Sequence, residues 1–308
     1  MTTNDALIYT ADDSDRILDK TILQSLLSGF SIEITVKEAA RISNFRKHLP
    51  MGTEVYIVAT PSTKPNDVVD LAKRIRDEGM IPVPHIAARA MPSVEILDRW
   101  VRRLSVEANV TAALIIAGGN YDRPVGTLAS SMELVKSGVM EDNGIKDLRF
   151  AGHPEGHPVI SHHELMEVLL EKQAYGEQKQ LTTSLVTQFF FDFAAVAEWE
   201  RQLLRCGVHM QVRVGFHGVA SLASLIRQAR YCGVGASIEV LAKQPAKMLK
   251  IAASTTPDRL VRSLARHSVE FEQTLFASCH FFPLGNFEKT AGWVSAIVRG
   301  DLELHDNE

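Results

Sequence analysis

The chain has 308 residues, of which 45% are hydrophobic and 23% charged, and its formal net charge is −4. These values are typical of a soluble globular protein, and the charge gives no electrostatic reason to expect nucleic acid or an anionic membrane as partner. The N-terminus lacks a basic region followed by an apolar run, and no apolar stretch could span a bilayer. Three widely spaced cysteines, Cys206, Cys232 and Cys279, indicate reduced thiols, so a cytoplasmic protein is expected.

Short apolar runs alternate with longer amphipathic segments along the chain. Runs such as Val55–Val58 are continuously apolar, which is typical of parallel strands buried on both faces. The predicted strands are Ile32–Val36, Glu54–Ala59, Ile81–Ile86, Ala112–Ala117, Leu148–Gly152, Leu185–Phe190, Met210–Val214 and Phe276–Phe282. The predicted helices include Asp67–Glu78, Val94–Glu107, His163–Lys172, Phe193–Arg205, Val219–Tyr231 and Pro257–Gln273, with N-caps at Asn66, Ser93 and Asp192.

Regular repetition of strand and helix, with about eight strands, predicts an α/β fold of the (β/α)8 TIM-barrel type. The simplest organisation is a single domain over residues 1–308. Residues 239–275 look mainly helical and are expected to add helices before the last strand. Residues 1–15 and 303–308 are polar and are expected to be flexible tails. A Rossmann or P-loop nucleotide site lacks its usual glycine-rich sequence support.

The stretch Thr187–Asp192, with the sequence TQFFFD, places an amide at the end of an apolar strand. A buried amide without hydrogen bonds costs about 1–3 kcal/mol. The Gln188 side chain offers a donor and an acceptor together, which suits the lactam edge of a pterin or flavin, although neighbouring backbone could satisfy it equally. Alternation along the strand predicts that Gln188 and Phe190 share one face and Phe189 the other.

Other polar residues lie where predicted strands end, and these ends build the active site of a barrel. Glu33 interrupts an apolar run, and burial would raise its pKa into the range of a general acid. His85 is as consistent with a core histidine as with a ligand contact. Gly118 and Gly119 form a tight turn or let backbone amides approach a ligand closely.

Four histidines follow the fifth predicted strand, at His153, His157, His162 and His163. Their spacing is not that of a His-Glu-x-x-His metal site, and prolines would break a helix holding two of them on one face. Contacts to an organic ligand are therefore favoured over a metal. Lys172, on the helix that follows, is either a solvated surface lysine or a phosphate ligand.

Taken in order, these residues resemble the methylenetetrahydrofolate reductase family. The resemblance runs from Glu33 to about Val294 and rests mainly on Thr187–Asp192, with support from Pro84-His85, His153–Pro158 and His280–Phe282. In length the chain is similar to the short bacterial type, which lacks the regulatory domain of the larger eukaryotic enzymes.

The resemblance implies a flavoprotein oxidoreductase of one-carbon metabolism and methionine biosynthesis. It would interconvert 5,10-methylenetetrahydrofolate and 5-methyltetrahydrofolate, in either direction, through FAD with NADH or NADPH. Glu33 matches the general acid that protonates N10 of the folate. Asn120 matches a second catalytic position. Substrate contacts match Glu33, Gln188 and Phe190. Flavin contacts match Thr60, His85, Gly118, Gly119, Asn120, Ala129, His153, His157 and Lys172. Barrels of this type are often homo-oligomers.

Several positions depart from the family pattern and indicate a divergent paralogue. Asn120 stands where an aspartate is usual, which predicts an altered flavin potential or slower reductive chemistry because the negative charge is lost. Further departures are Gly118 for arginine, His153 for tyrosine, Leu165 and Val168 for polar residues, and Gly285-Asn286 for Asn-Arg.

Three alternatives stay open. The first is a reductase of the same substrate that transfers hydride directly from NADH without flavin. The second is a non-catalytic barrel that binds folate or flavin, against which the acid at Glu33 argues. The third is a zinc hydrolase built on the histidines.

Overall fold

Eight parallel strands close into a barrel, so the predicted (β/α)8 fold is confirmed. The computed structural model describes residues 11–58, 60–119, 121–157, 159–231, 256–302 and 304. Each strand pairs with the next along the chain, and the last pairs with the first. The strands are β1 (Ser31–Ile34), β2 (Glu54–Ile57), β3 (Ile81–Ala87), β4 (Ala112–Ile116), β5 (Asp147–Gly152), β6 (Thr182–Thr187), β7 (Gln211–His217) and β8 (Phe276–Phe282).

Helices surround the barrel. They are α1 (Ala11–Ser28), α2 (Val36–Ala39), α3 (Pro65–Asp77), α4 (Val94–Ala108), α5 (Ser131–Lys136), α6 (Val139–Asp142), α7 (His162–Lys179), α8 (Phe193–Cys206), α9 (Leu222–Tyr231), α10 (Asp258–Glu270) and α11 (Phe287–Arg299). Ser93 and Asp192 cap α4 and α8 as predicted. The predicted cap at Asn66 is wrong: α3 begins at Pro65, two residues before the predicted start at Asp67, because proline is favoured in the first turn of a helix.

Two predicted segments are only partly described. Within 239–275, α10 confirms a helix before β8, whereas residues 232–255 lie outside the described residues. Residues 11–15, predicted as tail, form the start of α1, which packs against α10 and α11 and buries Leu23 and Leu27 at a helical spacing. Residues 1–10, 303 and 305–308 also lie outside the described part. No helix among the described residues is both long and apolar enough to cross a membrane.

The main hydrophobic core lies between the barrel and its helices. Outward-facing strand residues such as Ile32, Phe150 and Val214 are fully buried there. Cys279 also lies in this core, where burial raises the pKa of its thiol. A smaller apolar cluster fills the inside of the barrel, formed by Tyr56, Val83, Ala112, Leu114 and Val186.

An ion-pair network closes the amino end of the barrel. The guanidinium of Arg149, only 2% exposed, contacts both carboxylate oxygens of Glu54 at 2.6 Å and Asp147 Oδ2 at 2.6 Å. Arg213 on β7 contacts Glu54 from the other side at 3.2 Å. This end of a barrel contributes to stability, whereas chemistry belongs to the carboxyl ends of the strands.

Candidate active site

The carboxyl group of Glu33 lies inside the barrel between two histidines. Its neighbours Ile32 and Ile34 belong to the outer core, so alternation along β1 turns Glu33 inward. Its Oε2 atom lies 4.0 Å from Nε2 of His85 on β3 and 3.8 Å from Nε2 of His280 on β8. Three distant parts of the chain, on β1, β3 and β8, thus converge on one carboxyl group.

Burial raises the pKa of Glu33 to about 7. The nearby His85 opposes this effect and the carboxylate of Glu38 adds to it. An acid with a pKa close to neutral can both hold a proton and release it under physiological conditions, which is the property of an efficient general acid.

Both histidines are neutral. Burial lowers the pKa of His85 to about 4 and that of His280 to about 3, and for His280 the cation of Arg213 contributes in the same direction. The ring of Tyr56 lies edge-on to both, with centroids 4.5 Å from His280 and 6.1 Å from His85. Nε2 of His85 has no hydrogen-bond partner within the described ranges, so it can serve a ligand.

Gln188 presents a second unsatisfied atom. Its Oε1 is buried and accepts no hydrogen bond from the residues that the structure describes. Gln188 directly follows the last residue of β6, Thr187, and therefore lies at the carboxyl end of that strand. A buried carbonyl oxygen without a donor costs about 1–3 kcal/mol. The neighbouring backbone does not supply that donor, which leaves the role to a ligand.

The predicted strand alternation over Gln188, Phe189 and Phe190 is wrong. β6 ends at Thr187, and the alternation of side chains does not continue beyond it. Phe189 packs against Phe282 with ring centroids 5.7 Å apart, whereas Phe190 is fully buried in the outer core against Phe216 at 5.3 Å. The position of Phe190 therefore gives no support to its predicted substrate contact.

The turn after β4 carries the paired glycines. Gly118 has a φ of +92°, which disfavours any other residue, and a Cβ there would lie 3.3 Å from that of Ala87. A Cβ on Gly119 would meet no atom of the described residues within 4 Å, so a ligand has room to approach its backbone. Asn120 lies outside the described residues.

Arg89 supplies a cation at this end of the barrel that the sequence prediction missed. It follows β3, its Nε donates to the carbonyl of Ala129 at 2.9 Å, and its charge helps to lower the pKa of His157. The signal in the sequence was its position four residues after His85, at the same strand end. The backbone N–H of Ala129 is held by Glu133 Oε2 at 2.7 Å, so the predicted contact residue has both backbone groups occupied.

The segment after β5 brings two of the four histidines together. The rings of His153 and His157 meet edge-to-face at 5.3 Å, and Nδ1 of His157 accepts the N–H groups of Val159 and Ile160. Burial, assisted by the charges of His157 and Lys172, lowers the pKa of His153 to about 4. His163 instead pairs with Glu167 on the surface of α7. Within the described ranges, no three or more His, Cys, Asp or Glu side chains form a cluster suited to a metal.

Lys172 is buried beneath α7, not solvated. It is 6% exposed, and its ammonium lies 4.8 Å from the centre of the Phe150 ring. Burial lowers its pKa to about 8. Lys172 makes no ion pair in the part of the chain that the structure describes. A bound anion would supply the negative charge that its buried ammonium needs.

Thr60, after β2, takes part in a local hydroxyl network. Its Oγ1 lies 2.6 Å from Oγ1 of Thr63, and its N–H donates to the same atom. The predicted flavin contacts that the structure describes thus lie on β3, on the loops after β2, β4 and β5, and on α7. A buried lysine without an anion and an unobstructed glycine backbone fit the phosphates and the flat ring of FAD.

No protein-family model matches the chain. Three solved structures match the chain to different extents. An uncharacterized protein from Clostridium thermocellum that binds two copies of 5-methyl-5,6,7,8-tetrahydrofolic acid is 13% identical, with a TM-score of 0.59 over 92% of this chain and 99% of that one. A conserved protein of unknown function from Enterococcus faecalis is 12% identical, with a TM-score of 0.35 over 62% of this chain and 49% of that one. The carboxyl transferase domain of Rhizobium etli pyruvate carboxylase is 10% identical, with a TM-score of 0.42 over 94% of this chain and 51% of that one. At these identities the comparison establishes fold alone, and the fold is shared with the Clostridium barrel.

Proposed function

We propose that this protein binds a reduced folate at the carboxyl ends of its strands and interconverts 5,10-methylenetetrahydrofolate and 5-methyltetrahydrofolate. The observation that carries the proposal is an inward-facing acid, Glu33, whose pKa burial raises to about 7, in a barrel where Gln188, just after β6, also holds a buried and unpaired amide oxygen. The shared fold with a barrel that binds 5-methyltetrahydrofolate adds support.

In the reducing direction, Glu33 gives its proton to N10 as the bond between N10 and the methylene carbon breaks. The electrons of that bond stay on N10, and the methylene group becomes an iminium on N5. A hydride then adds to that carbon and completes the methyl group. In the oxidising direction the same carboxylate takes the proton back. The neutral state of His85 and His280 leaves Glu33 as the acid of this site.

Gln188 has the chemistry to recognise the pterin. The lactam edge of a pterin presents a ring N–H beside a carbonyl, and a primary amide matches the two groups with one acceptor and one donor. The unpaired Oε1 of Gln188 is the acceptor of that pair.

The hydride requires a redox partner. When bound, FAD would carry it between NADH or NADPH and the folate. Lys172 and Arg89 would neutralise its phosphates, the backbone of Gly119 would lie against it, and His157 and Thr60 would offer polar contacts.

The test is an absorption spectrum of the freshly purified protein, followed by anaerobic addition of NADH or NADPH and then 5,10-methylenetetrahydrofolate. We expect a flavin spectrum that the nucleotide bleaches and the folate restores, with formation of 5-methyltetrahydrofolate. A colourless protein that does not take up FAD, yet oxidises NADH with folate, would identify direct hydride transfer. Folate binding without either reaction would identify a binding protein and contradict the proposed enzyme.

Replacing Lys172 by methionine is expected to weaken FAD binding at least tenfold, because a buried ammonium facing a phosphate contributes a charge-assisted hydrogen bond. The affinity for 5-methyltetrahydrofolate should stay unchanged. Lys179→Met is the matched control, since Lys179 lies on the same helix but is exposed. Titration of the apoprotein with FAD by flavin fluorescence measures the effect, and equal losses in the two variants would contradict the role of Lys172.

Replacing Gln188 by leucine is expected to change folate binding and stability in opposite directions. The affinity for 5-methyltetrahydrofolate should fall about tenfold because one hydrogen-bonding edge of the pterin loses its partner. The free protein should become more stable, by up to about 1 kcal/mol, because an unsatisfied buried amide is removed. Calorimetric titration and urea unfolding measure the two effects, with Gln178→Leu on the exposed face of α7 as control. A loss of stability together with unchanged binding would show that the amide serves the core.

A further inference from the structure

A buried serine–histidine pair lies at the seam where the barrel closes. Ser31 on β1 and His280 on β8 are register partners across this seam, and Oγ of Ser31 lies 2.8 Å from Nδ1 of His280. The two residues are 0% and 1% exposed. The other ring nitrogen of His280 is the one that faces Glu33, at 3.8 Å.

We infer that Ser31 is a positioning residue that fixes the tautomer of His280, so that Nε2 carries the proton and faces the carboxyl group of Glu33. The consequence for catalysis rests on the proposed function, in which Glu33 protonates the folate. The tautomer itself is a property of the free protein.

The geometry around the hydroxyl determines the tautomer. The single proton of Ser31 Oγ can be given to Nδ1 of His280 at 2.8 Å or to the carbonyl of Cys279 at 3.5 Å. The shorter contact is a normal hydrogen bond, whereas the longer one is at the limit of the range. With Nδ1 as acceptor, a neutral imidazole must carry its proton on Nε2.

This tautomer keeps the proton of Glu33 available for substrate. An Nε2–H group can only donate, so it cannot accept the acidic proton. The opposite tautomer would turn a lone pair toward Glu33 and draw the carboxyl proton toward the histidine, in competition with the substrate nitrogen. At 3.8 Å the two groups are too far apart for a hydrogen bond, but the dipole of the Nε2–H group still favours the carboxylate and opposes the rise in the pKa of Glu33 that burial causes.

Other charged and polar groups surround the pair. Those acting on Glu33 are His85 on β3 and Glu38 on α2. Those acting on His280 are Arg213 on β7, Glu54 on β2 and Arg149 on β5, with the ring of Tyr56 in edge contact. None of these groups changes in the experiment below, because only the serine hydroxyl is removed.

The experiment compares wild type with Ser31→Ala and a matched control, Ser184→Ala. Ser184 is also a buried serine on a barrel strand, 4% exposed, but its hydroxyl has no hydrogen-bond partner among the residues described. In protein labelled with ¹⁵N-histidine and ¹³C-glutamate, NMR reads the protonation of each ring nitrogen of His280 and the titration of Glu33. His280→Gln and Glu33→Gln assign the two signals.

In the wild type we expect an unprotonated Nδ1 and a protonated Nε2. In Ser31→Ala we expect a shift toward the other tautomer, a Glu33 titration about one pH unit higher, and a kcat about tenfold lower with the basic limb of its pH profile moved upward. Ser184→Ala should match wild type throughout. A protonated Nδ1 in the wild type, or a Ser31→Ala protein with the wild-type tautomer and Glu33 titration, would overturn the inference. The NMR results stand without turnover, so failure of the proposed reaction is seen separately, as absence of folate chemistry in wild type.

Discussion

Glu33→Gln is expected to lower the rate of 5-methyltetrahydrofolate formation at least a hundredfold, because general acid catalysis contributes about 10²- to 10⁴-fold. Glutamine keeps the shape and the hydrogen-bonding capacity of the neutral acid but has no proton to transfer. The affinity for 5-methyltetrahydrofolate should therefore change by less than a few-fold. Single-turnover kinetics and calorimetric titration on the same preparation separate chemistry from binding.

The pH dependence of the wild type adds a second measurement. Since burial raises the pKa of Glu33 to about 7, the rate of folate reduction should decline as the pH rises above about 7 and the acid loses its proton. In Glu33→Gln this limb should be absent from any residual activity. A variant that turns over at the wild-type rate, with the same pH profile, would show that another group is the acid and that Glu33 only lines the barrel.

Glu33→Gln is also expected to make the folded protein more stable at high pH. The pKa of Glu33 is higher in the folded than in the unfolded chain, so the folded state binds an extra proton between pH 4.5, the ordinary pKa of the group, and about pH 7. Stability from this group is fully present below 4.5 and is lost as the pH rises through about 7, by a total on the order of 3 kcal/mol. Urea unfolding at pH 8 should find Glu33→Gln more stable than wild type, and at pH 4 the two should be close.

The fold was predictable because its signals are local and repeated. Continuously apolar runs such as those in β2 and β4 identify parallel strands without knowledge of their partners. The least accurate strand was β6, placed over Leu185–Phe190 but found at Thr182–Thr187. Its first residues, Thr182 to Ser184, are polar because they lie near the amino end of the barrel, and the phenylalanines that follow are apolar because they pack beyond the strand.

The site was only partly predictable, for a different physical reason. Glu33 and Gln188 stood out because polar side chains in apolar runs are costly; the structure turns Glu33 into the barrel and leaves Oε1 of Gln188 buried without a donor among the described residues. Ser31 could not be found in this way, because its significance depends on the closure of β8 onto β1, and the position of Arg89 after His85 did not show that its side chain reaches the neighbouring loop. Contacts of this kind are made between distant parts of the chain and leave no local pattern.

Arg149→Met is expected to destabilise the protein by about 3–5 kcal/mol, the usual cost of removing one partner from a buried ion pair. The substitution leaves the carboxylates of Glu54 and Asp147 and the hydroxyl of Tyr56 without the guanidinium that they share. Arg213 touches only Glu54 among these groups and cannot replace it. Lys136→Met, which removes an exposed pair with Glu171, is the control and should change stability little.

The loss of stability caused by Arg149→Met should depend on pH, and the direction of this dependence tests whether the charge of the arginine is the cause. Although burial alone would raise the pKa of Glu54, Arg149 and Arg213 hold it below its ordinary value. Because the pKa of Glu54 is lower in the folded than in the unfolded chain, this group stabilises the wild type above the unfolded value near 4.5. That stabilisation is lost as the pH falls, so the difference in the free energy of unfolding between variant and wild type should narrow below pH 4.5. The double variant Arg149→Met, Glu54→Gln should recover part of the lost stability at neutral pH, because position 54 on β2 then holds no carboxylate that needs a partner. A gap that stays constant with pH, and a double variant no more stable than the single one, would show that the arginine acts through the packing of its side chain and not through its charge.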